Sequence, residues 1–143
     1  MFNIENKIGN IHYGENIIRK IVLKGIDQYE GRVIPYNVGR KLMGLVGMRQ
    51  VKNITPNPNG AIKIINNTEE TEEGAPKPEP NYEILVYLVV RFGTSITDVT
   101  NGLIDYIYEY CDIIINTKPT KVTVKVTGTL SKNLVKRDIE VSR

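Results

Sequence analysis

Residues 82–92 read Tyr-Glu-Ile-Leu-Val-Tyr-Leu-Val-Val-Arg-Phe, and an extended chain with this sequence is apolar on both faces. Side chains alternate across a strand, so Ile84, Val86, Leu88 and Val90 point one way while Leu85, Tyr87 and Val89 point the other. A strand with one solvated face would alternate apolar with polar instead. The segment therefore predicts a central strand covered on both sides, or covered on one side and meeting another subunit on the other. Its run from Ile84 to Val90 is the longest apolar stretch in the chain. That is far short of the ~20 residues that cross a bilayer as a helix.

The next segment is equally constrained. Gly93-Thr94-Ser95 opens a helix in which Ser95 and Asp98 stand at capping-box spacing, Asp taking the place of the usual Glu. Ile96, Val99, Leu103, Ile107, Tyr110 and Ile114 recur at helical spacing on one face, while Asp98, Asp105, Glu109 and Asp112 fall elsewhere and are expected in solvent. Asn116 to Pro119 ends the helix. Lys121 to Thr127 then alternates cleanly, with Val122, Val124 and Val126 directed to the core and Lys121, Thr123, Lys125 and Thr127 outward.

Upstream, Lys7 to Tyr13 reads as a short edge strand broken by Gly14. Glu15 to Tyr29 reads as a helix whose Ile17, Ile18, Ile21, Val22, Ile26 and Tyr29 share helical spacing, with Gly31 as its stop. Val33-Ile34-Pro35 is expected to be extended, and Pro35 can open a short helix through Leu45. Thr55 to Gly60 is a turn signal, and Ala61 to Ile65 a short strand. Residues 66–81 hold Glu69, Glu70, Glu72, Glu73 and Glu79 against Lys77 alone, with Pro76, Pro78 and Pro80 and no core residue. Such a segment buries too little apolar surface to offset its ordering entropy, so a mobile acidic hairpin loop is predicted. Residues 130–143 read as a basic tail. The order predicts one α+β domain of two layers. Its mixed, βαββαβ-like sheet would have about four strands, with two main helices on one face.

The chemistry available to 143 residues with one cysteine and one histidine is narrow. Cys111 alone forms no internal disulfide and no multi-cysteine metal site. A base-assisted nucleophile would have to pair His12 with Cys111. Cys111 lies on the second helix beside Tyr110, where a small core residue is the plainer reading. Asp105, Glu109 and Asp112 share helical spacing but lack the loop carbonyls a hard cation needs. Gly44-Leu45-Val46-Gly47 spells the Gly-x-x-Gly of an RNA-clamping loop, although its middle pair is apolar where polar or basic residues are usual. No catalytic, cofactor or metal residues are assigned. The opening Met1 to Lys7 is polar, so no signal peptide is expected.

Two blocks resemble the alkaline shock protein (envelope stress response) family of Gram-positive bacteria. The first is Gly9-Asn10-Ile11-His12-Tyr13 and the helix after it. The second, more specific block covers residues 82–128: a hydrophobic strand ending Phe92-Gly93, then Ser95-Ile96, a helix, and the ladder Val122-Thr123-Val124-Lys125-Val126-Thr127-Gly128. The middle of the chain departs from that family's pattern, and only Gly44-Leu45-Val46-Gly47-Met48 is similar to its valine-glycine turn. The resemblance implies abundant, self-associating proteins of the cytoplasm that are tied to envelope or alkaline stress. Some are held at the inner face of the membrane by a small anchoring protein, and others are linked to control of fatty-acid synthesis.

The function expected from all this is a non-enzymatic scaffold or regulatory protein. It would form a homo-oligomer and bind a membrane-anchoring protein partner without inserting into the bilayer itself. Tyr87, Tyr106, Tyr108 and Arg91 are the candidate interface residues, since Tyr and Arg are favoured at contacts. The net charge of +3 conceals a basic body, because the acidic loop offsets it. Lys121, Lys125, Lys136 and Arg137 are the candidate anion-binding residues, and a nucleic-acid-binding module is the alternative they support.

Overall fold

A computed structural model describes residues 7–39, 54–67 and 81–143, with side chains from residue 14 onward. Helix α1 spans Lys7–Asp27 and strand β1 Val33–Pro35. A one-turn helix α2, Pro58–Ala61, is capped by Asn57, whose side chain accepts from the Gly60 N–H. Strand β2 (Ile62–Asn66), strand β3 (Tyr82–Arg91) and helix α3 (Ile96–Ile115) come next. Strands β4 (Lys121–Leu130) and β5 (Leu134–Ser142) close the sheet.

The sheet is mixed. Its main path runs β1-β3-β4-β5, with β3 and β4 parallel and joined by α3. Both β1 and β2 pair antiparallel with the same edge of β3, β1 along residues 88–90 and β2 along 82–86. The chain between them closes on a stem where Asn57 donates its N–H to the Pro35 carbonyl at 2.8 Å. The α+β class and the two main helices on one face are as the sequence predicts.

Three elements differ from expectation. Residues 7–13 are helix and not a strand, so α1 begins at Lys7. The β3 edge open to an early strand is already occupied by β1 and β2, and Ile8, Ile11 and Ile18 are spaced as well for a helix as Ile11 and Tyr13 are for a strand. The basic tail is strand β5, antiparallel to β4, with Val124 opposite Val141, Val126 opposite Ile139 and Leu130 opposite Leu134. Charged Lys136, Arg137, Asp138 and Glu140 disguise it, yet charges are what an edge strand carries. Pro35 ends a strand and opens no helix over residues 36–39. The acidic loop, apart from its ends at 66, 67 and 81, lies outside the described residues, as do the rest of that expected helix and the Gly44–Gly47 motif.

The main core lies between the helices and one sheet face. Ile18, Ile21, Val22 and Ile26 of α1 and Val99, Leu103, Ile104, Ile107 and Cys111 of α3 pack on Ile62, Ile84, Val86, Leu88, Val122 and Val124. Ser95 caps α3, accepting from the Asp98 N–H, and Asn116 ends it in the left-handed region. The helices cross closely at Gly25, where a Cβ would stand 2.8 Å from Leu103 Cδ1 and 2.9 Å from Tyr106 Cδ1. Among the described residues no helix is long and apolar enough to cross a membrane.

Candidate functional site

The second sheet face is divided. Its upper half, toward Val90 and Leu130, is sealed by the chain leaving β1: Ile34, Val38, Val89, Leu130 and Leu134 form a second buried cluster, flanked by Tyr36 and Ile54. One side chain pins that cover. Thr127, expected to face out, is buried at a β4 bulge. Its hydroxyl accepts from the Val38 N–H at 3.1 Å and can donate to the carbonyl of Tyr36 or of Leu88, each also at 3.1 Å. Gly128 lets Val38 approach, since a Cβ there would lie 3.1 Å from Val38 Cγ2.

The lower half carries no such cover among the described residues. Here β2, β3 and β4 present Lys63, Leu85 and Thr123 on one rung and Tyr87 and Lys125 on the next, with Glu83 opposite Lys121 below. Leu85 and Tyr87 are only half-buried. The ammonium of Lys63 lies 5.5 Å, and that of Lys125 5.9 Å, from the centre of the Tyr87 ring, within cation–π range. Lys125 also pairs with Glu140 at 3.6 Å. Thr123 and Ser142 share a hydrogen bond of 2.8 Å. At the lower rim Asn67, Asn81, Glu83, Thr120, Lys121 and Ser142 line a shallow polar hollow of about 590 Å³.

The candidate interface residues fall on separate surfaces. Tyr87 is at the centre of the open half-face. Arg91 ends β3, and its Nε donates to the Gly31 carbonyl at 2.9 Å. Tyr106 stacks on Tyr110, with ring centroids 4.2 Å apart, on the helix side. Tyr108 donates its hydroxyl to the Arg143 carbonyl. The anion-binding candidates divide as well. Lys121 and Lys125 share the open half-face, whereas Lys136 sits opposite Gly128 on the upper part of β5. Neighbouring Arg137 points the other way along the strand and donates to Thr129 Oγ1 at 3.1 Å. Lys63 completes the open face and is missing from the sequence-based set; its signal was the alternation Ile62-Lys63-Ile64.

The thiol is poorly placed for chemistry. Cys111 is fully buried. Burial pushes it up to about 11, with the neighbouring Tyr82 hydroxyl, which donates to the Thr117 carbonyl at 2.6 Å, offsetting part of the rise. Burial, then the neighbouring Cys111, raises Tyr82 well above the usual phenol range. His12 lies in α1, outside the described side chains. Asp105 is held by Arg143 at 2.9 Å, and no group of three metal-ligating residues occurs among the described residues. Compared with protein-family models, curated proteins and solved structures, the chain matches none.

Proposed function

We propose that this chain is a non-enzymatic scaffold or regulatory protein of the bacterial cell-envelope (alkaline) stress response. It self-associates in the cytoplasm and binds a protein partner at the inner face of the membrane. One observation carries the binding part of this reading: the lower second face leaves Leu85 and Tyr87 of the central strand half-exposed, with Lys63 and Lys125 beside the tyrosine ring. Apolar side chains with a polar rim are the anatomy of a contact surface. The stress-response part is supported by the resemblance over residues 82–128, which fold as one β3-α3-β4 unit. Light scattering on the purified chain, with fractionation of cells carrying it, tests the proposal. The expected result is a mass above that of the monomer and recovery of part of the protein with membranes until the partner is stripped away. A monomer confined to the soluble fraction overturns it.

A second reading is favoured by Lys63, Lys121 and Lys125 around Tyr87: a nucleic-acid platform in which the ring stacks on bases and the lysines meet phosphates. Glu83 and Glu140 on the same face oppose it. A mobility shift with single-stranded RNA that weakens steeply with salt and is lost in Lys121→Glu/Lys125→Glu decides for this reading.

A further inference from the structure

The open half-face is charged in a self-complementary way. Glu83 and Lys121 are direct cross-strand neighbours, yet they do not pair with each other. Glu83 accepts from Asn67 Nδ2 at 3.0 Å, and the exposed Lys121 ammonium meets no described group. On the next rung Leu85 faces Thr123, and on the one above it Tyr87 faces Lys125. We infer that this surface packs against the same surface of a second copy, about a two-fold axis running along the strands midway between β3 and β4. The inference rests on the self-association in the proposed function and names its surface.

The rung pattern dictates the geometry. A two-fold axis placed there lays each β3 position over the β4 position of the same rung in the other copy. Each Glu83 then meets the second copy's Lys121, giving two ion pairs, and each Tyr87 ring meets the second copy's Lys125. The half-buried Leu85 side chains close over Thr123 at the centre. Such an interface is isologous and closes at two subunits. The strands of the two sheets run nearly aligned, as in a face-to-face β-sandwich. A purely anionic occupant fits less well, because it would have to sit over Glu83 and Glu140 as well as the lysines.

Sedimentation velocity on the full chain across a range of concentrations tests the inference. The expected species is a dimer. Glu83→Lys alone and Lys121→Glu alone each weaken it by about tenfold, because two attractive contacts become repulsive. The chain carrying both changes regains most of the lost affinity, as only directly apposed charges do. Both residues are on the surface, so far-UV circular dichroism is expected to be unchanged. A chain monomeric at every concentration overturns the inference together with the self-association it rests on. A dimer that ignores the charge swaps but dissociates in Ile113→Ser/Ile114→Ser or Arg137→Glu overturns the inference alone, moving the contact to α3 or the β5 edge. Loss of the dimer in both single variants with no recovery in the double variant also overturns the two-fold geometry.

Discussion

Along β3, neighbouring residues have opposite surroundings. Ile84, Val86 and Leu88 are fully buried under α1 and α3, while Leu85 and Tyr87, of similar apolar character, stay half-exposed on the reverse. The reverse face is itself unequal, since Val89 is completely buried beneath the chain that leaves β1. Composition does not separate these positions. What separates them is which part of the chain is long enough and suitably pinned to lie across them. Two helices cover one face entirely, and a short extended segment, fastened at Thr127, covers half of the other. The lower half has no such cover among the described residues.

If this contrast is right, substitutions should rank by face. Leu103→Ala, under the helices, is expected to cost about 2–5 kcal/mol, read from the denaturant midpoint, because it removes buried methyl groups and leaves a cavity. The next effect is one of pH. Cys111 has an ordinary value of 9.0 and a folded value of about 11, so the unfolded chain loses this proton first as pH rises. The stabilisation is whole below pH 9 and falls away between pH 9 and 11, and Tyr82 adds in the same direction above 10. A decline of roughly 1–3 kcal/mol over that window is expected, and it should flatten in Cys111→Ala measured against its own neutral-pH stability. Thr127→Val leaves the Val38 N–H buried without its acceptor and should cost about 1–3 kcal/mol. It should also raise amide exchange at Val38 while amides in α3 stay protected. Leu85→Thr, on the open half, should change stability by less than about 1 kcal/mol while affecting association. A Leu85 effect as large as that of Leu103 would abolish the distinction between the faces.

The β3-α3-β4 unit was legible because each of its signals agrees with the others: the two-sided strand, the Ser95 cap, the helical spacing of Val99, Leu103 and Ile107, and the valine alternation. Elsewhere the local pattern was ambiguous and tertiary pairing decided. Ile11 and Tyr13 fit a strand period, but β1 and β2 already occupy the free edge of β3. Val135, Ile139 and Val141 were diluted by charges that mark an edge strand rather than a tail. Thr127 looked like the next outward residue of an alternating strand, and a bulge cannot be read from alternation alone. Of the residues singled out from the sequence, Tyr87, Lys121 and Lys125 share the open half-face. Their grouping with Lys63, and the separation of Arg91, Tyr106, Tyr108, Lys136 and Arg137 from them, depended on register.

The stem at Pro35 and Asn57 has a consequence for anyone who wishes to re-engineer the molecule. β1 and β2 behave as one edge strand cut in two, and the cut ends are tied by the bond from Asn57 to Pro35. Whatever length of chain departs from one and returns to the other, the ladder on either side keeps its rungs, because loop length enters folding only logarithmically. A change in the length of that connection is therefore expected to leave the pairing of β1 and β2 with β3 intact.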